Sequence, residues 1–269
     1  MPWANKAWEK SLSDLEPQGY VIVAFDHPKV DYLDCARTLA TTLRHWVPDA
    51  RICLITDRPQ SNDPIYDHYR EINRTDVNNA WADDWQVFFQ TPFRETIKLE
   101  ADMMITSPID HWWTMFRHRD VVISTGCRNW RDEPSKNRQY RRVFDVNGLP
   151  DVYNAVTYWR RSETARNFFV QVRDIFANWD HWRKTIRYAE DVPSTDLAYA
   201  MAAVIIGPEL VTMPFATYPQ IVHMKPAHAE TQTNNWTREL VWEYQDYQLR
   251  IQTVAQWGAV HYNVKDWRA

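Results

Sequence analysis

Two carboxylates follow a short apolar stretch near the middle of the chain, with the spacing of a metal site. Ile97-Lys98-Leu99 is typical of a strand and leads directly into Glu100 and Asp102. Residues i and i+2 of a strand project to one side, and ligands of open α/β sheets bind at the carboxyl ends of strands. The two acids repel each other unless a cation lies beside them, and oxygen ligands with substrate phosphates suit Mg²⁺ or Mn²⁺. E-x-D alone is a weak motif, and a solvated strand end explains it more simply.

The composition excludes several other kinds of site. With 5 glycines in 269 residues, neither the G-x-G-x-x-G fingerprint nor the P-loop motif can be written. The 3 cysteines contain no C-x-x-C pair, which fits a reduced, cytoplasmic compartment. No apolar stretch is long enough for a membrane span, and a net charge of −4 does not favour a general nucleic-acid binder. His223 and His228 lack the partners of a zinc motif, so packing or surface roles are expected.

The elements that would position the two carboxylates form one α/β domain over residues 1–269. Two apolar runs separated by a helical pattern open the chain, and this βαβ arrangement favours a parallel sheet. Strands are predicted at 20–25, 52–55, 97–99, 121–123 and 153–158. Helices are predicted at 33–47, 162–179, 196–205 and, from the stripe Leu240, Tyr244, Tyr247, Ile251 and Val254, at 240–254. A nucleotide-binding part is expected at about 18–125 and an acceptor-side part at about 126–269.

Three segments, in order along the chain, resemble the GT-A glycosyltransferases, specifically the glycogenin-like family and its bacterial lipooligosaccharide galactosyltransferase relatives. Ile97–Ile105 is similar to the strand that carries the metal-binding D-x-D of that family, and Tyr153–Tyr158 to its FNAGV segment. His261–Trp267 is similar to its C-terminal H-[FY]-x-G-x-x-K-P-W motif. The chain departs from the pattern at Glu100 and Val156, and its terminal motif is one residue shorter and lacks the glycine and the proline.

The resemblance implies an α/β GT-A fold, with a mostly parallel sheet flanked by helices, and a metal-dependent transfer of a sugar from a UDP-sugar to a hydroxyl acceptor. It implies metal ligation by Glu100, Asp102 and His261, and an imidazole ligand favours Mn²⁺ over Mg²⁺. Glu100 could bind the ribose of the donor instead of the metal. Lys98 and Lys265 are assigned to the donor, with Lys265 on its diphosphate as a point charge.

Four further polar residues are candidates for the rest of the donor. Asp26 and Asp57 follow the first two predicted strands and could hold the base and ribose, although ordinary strand-end turn acids are an equal explanation. Asn154 and Asp196 are the candidate catalytic residues on the sugar side. Asp196 has an alternative role as an acid favoured by the dipole at a helix start.

A basic segment, residues 117–142, raises the question of the acceptor. Its net charge is about +5, and aromatic residues are interleaved, which suits a phosphate backbone and a displaced base. The leading hypothesis is therefore a hydroxymethylated base in DNA, as for virus-encoded DNA glycosyltransferases acting in the host cytoplasm. The candidate acceptor-binding residues are Arg128, Trp130, Arg138, Arg141 and Arg142.

Three alternatives to a DNA acceptor stay open. The segment could be a solvated, arginine-rich loop that makes surface ion pairs. The acceptor could be a glycan or protein hydroxyl, or the chain could be a non-catalytic nucleic-acid-binding protein with a GT-A-like fold. No obligate protein partner is evident from the sequence.

Overall fold

The computed structural model describes residues 13–59, 63–75, 79, 81–138, 141–213 and 221–264. Tyr140, in the basic segment, and Lys265, the expected diphosphate contact, lie outside the described residues. The strands are β1 (Glu16–Ala24), β2 (Ile52–Thr56), β3 (His68–Glu71), β4 (Phe93–Glu100), β5 (Met103–Ile105), β6 (Val121–Thr125), β7 (Val152–Arg160), β8 (Ile221–His223), β9 (Trp242–Gln245), β10 (Gln248–Ile251), β11 (Val254–Ala255) and β12 (Ala259–His261).

The central sheet has six strands in the order β3-β2-β1-β4-β7-β6. β1 pairs in parallel with β2 and β4, and β2 pairs in parallel with β3. β7 runs antiparallel to both β4 and β6. The parallel sheet predicted from the βαβ opening is therefore confirmed, with one antiparallel strand inserted, and β4 lies in its interior.

The helices pack on both faces of this sheet, so a hydrophobic core lies on each side of it. They are α1 (Tyr32–Trp46), α2 (Val87–Gln90), α3 (His111–Phe116), α4 (Arg142–Val146), α5 (Glu163–Ala177), α6 (Trp179–Thr185), α7 (Thr195–Ile206), α8 (Pro208–Val211) and α9 (Pro226–Ala229). Short 3₁₀ helices span Asp84–Gln86 and Trp236–Arg238.

Side-chain caps explain where the long helices begin. The Asp31 carboxylate accepts from the backbone N–H groups of Leu33 and Asp34 at the start of α1. Ser162 and Ser194 cap α5 and α7 in the same way. The helices predicted after these two serines are confirmed.

A second, three-stranded sheet, β5-β12-β8, lies beside the end of β4. β12 pairs antiparallel with β5, which places His261 opposite Met103. β12 also pairs in parallel with β8, which places His261 opposite His223. Because only a two-residue turn separates β4 from β5, this small sheet carries the C-terminal part of the chain to the end of β4.

The helix predicted over residues 240–254 is wrong, because β9, β10 and β11 form an antiparallel sheet there. Asp246 and Tyr247 both have positive φ, 51° and 63°, and form the two-residue turn between β9 and β10. Leu249 and Ile251 are buried while Arg250 between them is exposed, which is the alternation of a strand.

Candidate metal centre and surrounding cleft

The two carboxylates and the C-terminal imidazole come together at the carboxyl end of β4. Glu100 is the last residue of β4, and Asp102 lies in the turn before β5. His261 is the last residue of β12, and the backbone N–H of Tyr262 donates to the Asp102 carbonyl at 3.2 Å. Backbone pairing of β12 with β5 therefore brings together side chains that are about 160 positions apart in the sequence.

The three side chains converge on one small volume. Nε2 of His261 lies 2.8 Å from Oδ2 of Asp102 and 3.8 Å from Oε2 of Glu100. Each of the three residues offers one ligand atom, and these atoms all lie within 4.8 Å of one another. Asp102 is 5% exposed, whereas the Glu100 side chain is 27% exposed and faces the cleft. Two carboxylate oxygens and one imidazole nitrogen are a suitable ligand set for a divalent cation.

The electrostatics of Glu100 and His261 agree with that ligand set. Burial raises the pKa of Glu100, and the nearby acids Asp196 and Asp84 act in the same direction, against the opposite influence of His261 and Lys98. Burial lowers the pKa of His261, so its imidazole is held neutral. A neutral imidazole is the form that binds metals, and a cation would offset the crowding of acids.

These residues line a cleft with a volume of about 330 Å³. Val23, near the end of β1, and Asn154, near the start of the antiparallel strand β7, belong to the same edge of the central sheet. Asp196 enters from the first turn of α7. The ends of neighbouring strands thus build the cleft, as in other open α/β sheets.

Asn154 and Asp196 are brought together in the wall of the cleft. The backbone N–H of Asn154 donates to Oδ1 of Asp196 at 2.8 Å. Oδ2 of Asp196 accepts from Nη1 of Arg141 at 2.9 Å, and the Oδ1 atom of Asn154 accepts from Thr157 at 2.7 Å. Both side chains are therefore held in fixed orientations.

Lys98 also lines the cleft, but its charge is matched by a buried acid. Its Nζ donates to both oxygens of Asp84, at 2.9 and 2.7 Å, and both side chains are at most 3% exposed. Tyr199 donates its hydroxyl to the same carboxylate. Lys98 and Asp84 thus form a buried pair behind Glu100.

Asp26 and Asp57 lie at the same edge of the sheet, but neither lines the cleft just described. Asp57 accepts a hydrogen bond from the backbone N–H of Asp26 at 2.7 Å and pairs with Arg74. The Asp26 carboxylate pairs with Arg58. Their assignment to base and ribose stays a prediction.

Most cations of the basic segment are paired with acids of the chain. Arg128 pairs with Asp132, and Arg138 with Asp145 and Asp151. Arg117 and Arg131 likewise pair with glutamates. Arg142 and Lys136 are exposed, and neither makes an ion pair with another described residue. This pattern favours the interpretation of the segment as a surface with local ion pairs.

Two of the expected acceptor residues are buried. Arg141 is 2% exposed, is paired with Asp151 and Asp196, and packs over the Tyr153 ring. Trp130 is 7% exposed, and its Nε1 donates to the Ala229 carbonyl. In this structure neither side chain reaches the solvent as an acceptor contact would require.

The sequence analysis gave no role in the site to Asp84, His223 or Lys225, all of which line the cleft. Asp84 gave no signal, because it lies in an irregular stretch before β4. His223 was expected to have a packing or surface role; it is 7% exposed and lines the cleft with its ring 4.5 Å from that of His261. Lys225, two residues later, is exposed and lines the cleft as well. The H-x-K spacing that His223 and Lys225 share, on an apolar strand, could have suggested both.

No protein-family profile matches the sequence, and no curated protein sequence matches it. Within the part of the chain that the structure describes, no helix has the length and apolar character needed to cross a membrane.

The fold does have relatives among solved structures, at low sequence identity. An active-site mutant of the galactosyltransferase LgtC superposes with a TM-score of 0.51 at 12% identity, over 91% of this chain and 86% of that one. Mouse xyloside xylosyltransferase 1 superposes with a TM-score of 0.50 at 8% identity, over 81% of this chain and 95% of that one. The bifunctional glycosyltransferase WbbM gives 0.51 at 8% identity, over 80% of this chain and 41% of that one. The chain therefore has the mixed α/β fold of the GT-A glycosyltransferases, as its motifs predicted.

Proposed function

We propose that this protein is a metal-dependent glycosyltransferase that moves a sugar from a nucleoside-diphosphate sugar, with UDP preferred, to a hydroxyl group. The observation that carries the proposal is the convergence of Glu100, Asp102 and His261 at the carboxyl end of β4, inside a cleft of a GT-A fold. The preference for UDP rests on the resemblance of the motifs alone.

Glu100, Asp102 and His261 would hold a divalent cation, and the imidazole ligand favours Mn²⁺ over Mg²⁺. A metal bound there supplies neutralisation of the charge that develops on the leaving diphosphate. The chain contributes the orientation of the ligands. His261 is fixed by its place in β12, and its contact with Asp102 fixes the carboxylate.

Asn154 and Asp196 would act on the sugar side of the donor. Their support is position: both line the cleft with the metal ligands, and one hydrogen bond of 2.8 Å joins the Asn154 backbone N–H to Asp196. Arg141 and Thr157 fix the remaining polar atoms of the pair, so these residues position the sugar-side groups. Lys98 would act indirectly, because its Nζ is bound to Asp84.

The remaining donor contacts are proposed from the sequence. Asp26 and Asp57 would hold the base and ribose, since they follow β1 and β2 at the same edge of the sheet. Lys265 would contact the diphosphate, since it follows His261 in the C-terminal motif.

The acceptor is proposed as a hydroxyl group, for which two classes compete. A hydroxymethylated base in DNA is supported by the exposed cations Lys136 and Arg142 of the basic segment. A glycan or protein hydroxyl is supported by the ion pairs that neutralise the neighbouring arginines Arg128 and Arg138. More cations of the segment are ion-paired than are exposed and unpaired, so we favour a glycan or protein hydroxyl as the acceptor.

The test is a screen of nucleotide sugars with and without Mn²⁺, followed by thermal shift and by hydrolysis of the donor in the absence of acceptor. We expect a UDP-sugar to raise the melting temperature and to be hydrolysed slowly only when Mn²⁺ is present. Labelled donor is then offered to glycans, to proteins and to DNA with and without hydroxymethylated bases. Binding of ADP without UDP would contradict the donor, and absence of binding and hydrolysis with every sugar would favour the non-catalytic alternative.

A further inference from the structure

Lys225 lies beside the candidate metal centre because of the pairing between β8 and β12. These strands are parallel, with His223 opposite His261, and the backbone N–H of Met224 donates to the His261 carbonyl at 2.9 Å. The backbone at Lys225 is extended, with φ −64° and ψ 141°, so the side chains of His223 and Lys225 project to the same side. Both line the cleft.

The charges of the cleft leave a role for this lysine. Lys98 is buried and matched by Asp84, and Asp196 is matched by Arg141. The two remaining acids, Glu100 and Asp102, carry together the charge that one divalent cation offsets. Since the carboxylates already balance the metal, the charge of a bound diphosphate would need other positive partners. A diphosphate carries more than one negative charge, so the proposed contact with Lys265 leaves room for a second cation.

Lys225 has the properties that this partner requires. Its side chain is exposed and lines the same cleft as the metal ligands. The backbone N–H of Lys225 donates to Nδ1 of His223 at 3.2 Å, so the main chain that carries the lysine is fixed.

We propose that Lys225 binds the diphosphate of the donor from the β8 side, as a second positive contact in addition to the one proposed for Lys265. The inference rests on the proposed function, since it concerns the same cleft. An ammonium group is a compact charge on a flexible stem and can follow a diphosphate whose sugar is being transferred. The ligand class is a nucleoside diphosphate or another diphosphate that bridges to the metal.

The experiment is calorimetry with the Mn²⁺-loaded protein and three probes: UDP, inorganic pyrophosphate and uridine. Lys225→Gln removes the charge, Lys225→Arg retains it, and Lys184→Gln removes an exposed charge of α6 as the matched control. We expect Lys225→Gln to lower the affinity for UDP and for pyrophosphate at least tenfold, which is the contribution of a hydrogen bond between charged groups. The affinity for uridine should not change. Lys225→Arg should recover most of the affinity, and Lys184→Gln should behave as the wild type.

The outcomes separate this inference from the proposed function. If the wild type binds UDP and Lys225→Gln binds it equally well, the inference is overturned and the proposed function stands. The inference also fails if Lys225→Gln lowers the affinity for uridine in proportion to that for UDP, or if this variant raises only the KM for the acceptor. If the wild type binds neither UDP nor pyrophosphate with Mn²⁺, the proposed function itself is contradicted, and the inference falls with it.

Discussion

The cleft and the basic segment differ in how their charges are used. In the cleft, the acids Glu100 and Asp102 converge on His261, whose Nε2 lies 3.8 Å from Glu100 and 2.8 Å from Asp102. In the basic segment, Arg128 and Arg138 pair with nearby acids. The segment carries a net charge of about +5 that local acids largely pair, whereas the cleft brings two acids together on one small volume.

This difference separates formal charge from available charge. Exposed ion pairs contribute about 0–1 kcal/mol each, and a pair of opposite charges presents little net field to a ligand. Carboxylates that converge in a partly buried cleft are costly until a cation joins them. Function is therefore expected where like charges converge, and the predictions below test that comparison between the two regions.

The largest effect is expected from removing a carboxylate of the cleft. Asp102→Asn should lower metal-dependent donor hydrolysis at least roughly a hundredfold, since a metal supplies several kcal/mol of transition-state stabilisation. Mn²⁺ should also cease to raise the melting temperature of this variant. Asp132→Asn, an acid of the basic segment that pairs with Arg128, is the matched control and should keep its activity. Wild-type activity of Asp102→Asn in the presence of EDTA would show that the metal centre is not used.

The second prediction compares replacements of two adjacent arginines, one in a buried ion pair and one exposed on the surface. Arg141 is 2% exposed and holds Asp151 and Asp196, whereas Arg142 is exposed. Arg141→Met leaves Asp196 without its arginine partner, while Asp151 keeps Arg138, and should lower the free energy of unfolding by about 3 kcal/mol. Arg142→Met should change it by roughly 0.5 kcal/mol or less. Urea unfolding measures both, and equal effects would mean that burial does not separate the two arginines.

The sequence was most informative where local signals agree. The apolar runs of β1, β2, β4, β6 and β7 and the serine caps of α5 and α7 predicted these elements close to their observed positions. It failed at 240–254, where Asp246 and Tyr247 form a turn with positive φ without the Asn-Gly or Gly signature of such turns. The apolar residues there recur every three or four positions and imitate a helix, while the strand alternation is short.

For the site, sequence patterns located residues but not their partners. Glu100 and Asp102 are two positions apart in the chain, and the motif at His261 was recognisable, so their convergence could be expected. The proximity of Lys225 to His261 depends on the pairing of β8 with β12, a contact between distant segments that periodicity does not reveal. The pairing of Arg141 with Asp196 depends on the tertiary structure in the same way. Composition alone counts Arg141 as a cation that can bind a ligand, whereas in the fold Asp196 neutralises its charge.

A histidine at the boundary between the two regions predicts a pH dependence of stability. His228 is 1% exposed and forms a hydrogen bond with Ser135 of the basic segment. Burial, reinforced by the positive charges of Lys225 and Arg141, lowers its pKa to about 4. In the unfolded chain this histidine takes up a proton near its ordinary pKa of about 6.5, whereas in the folded chain it does not. The free energy of unfolding therefore has its full value above that pH. It falls as the pH drops toward 4, by on the order of 3 kcal/mol.

His228→Gln keeps a hydrogen-bonding side chain and does not titrate, so its free energy of unfolding should fall less between these pH values. His118→Gln, at an exposed position, is the control and should follow the wild type. Urea unfolding across the pH range gives both slopes. Parallel curves for His228→Gln and the wild type would mean that this histidine is not held neutral.

The smallest effect is expected for binding of the basic segment to DNA. The logarithm of the affinity falls with the logarithm of the salt concentration by about 0.9 for each phosphate contacted by a cation. Residues 117–142 contain eight lysines and arginines, which would give a slope of about −7 if all contacted phosphates. Arg119, Lys136 and Arg142 make no ion pair with a described residue, and these three alone would give about −3. Because ion pairs occupy the other five within the described residues, we expect the shallow slope in fluorescence anisotropy with duplex DNA. The double variant Lys136→Gln, Arg142→Gln should lower its magnitude by about 2, and Arg128→Gln should leave it unchanged. A slope near −7 would mean that phosphates open the ion pairs, and the contrast between the two regions would then fail in favour of a DNA acceptor.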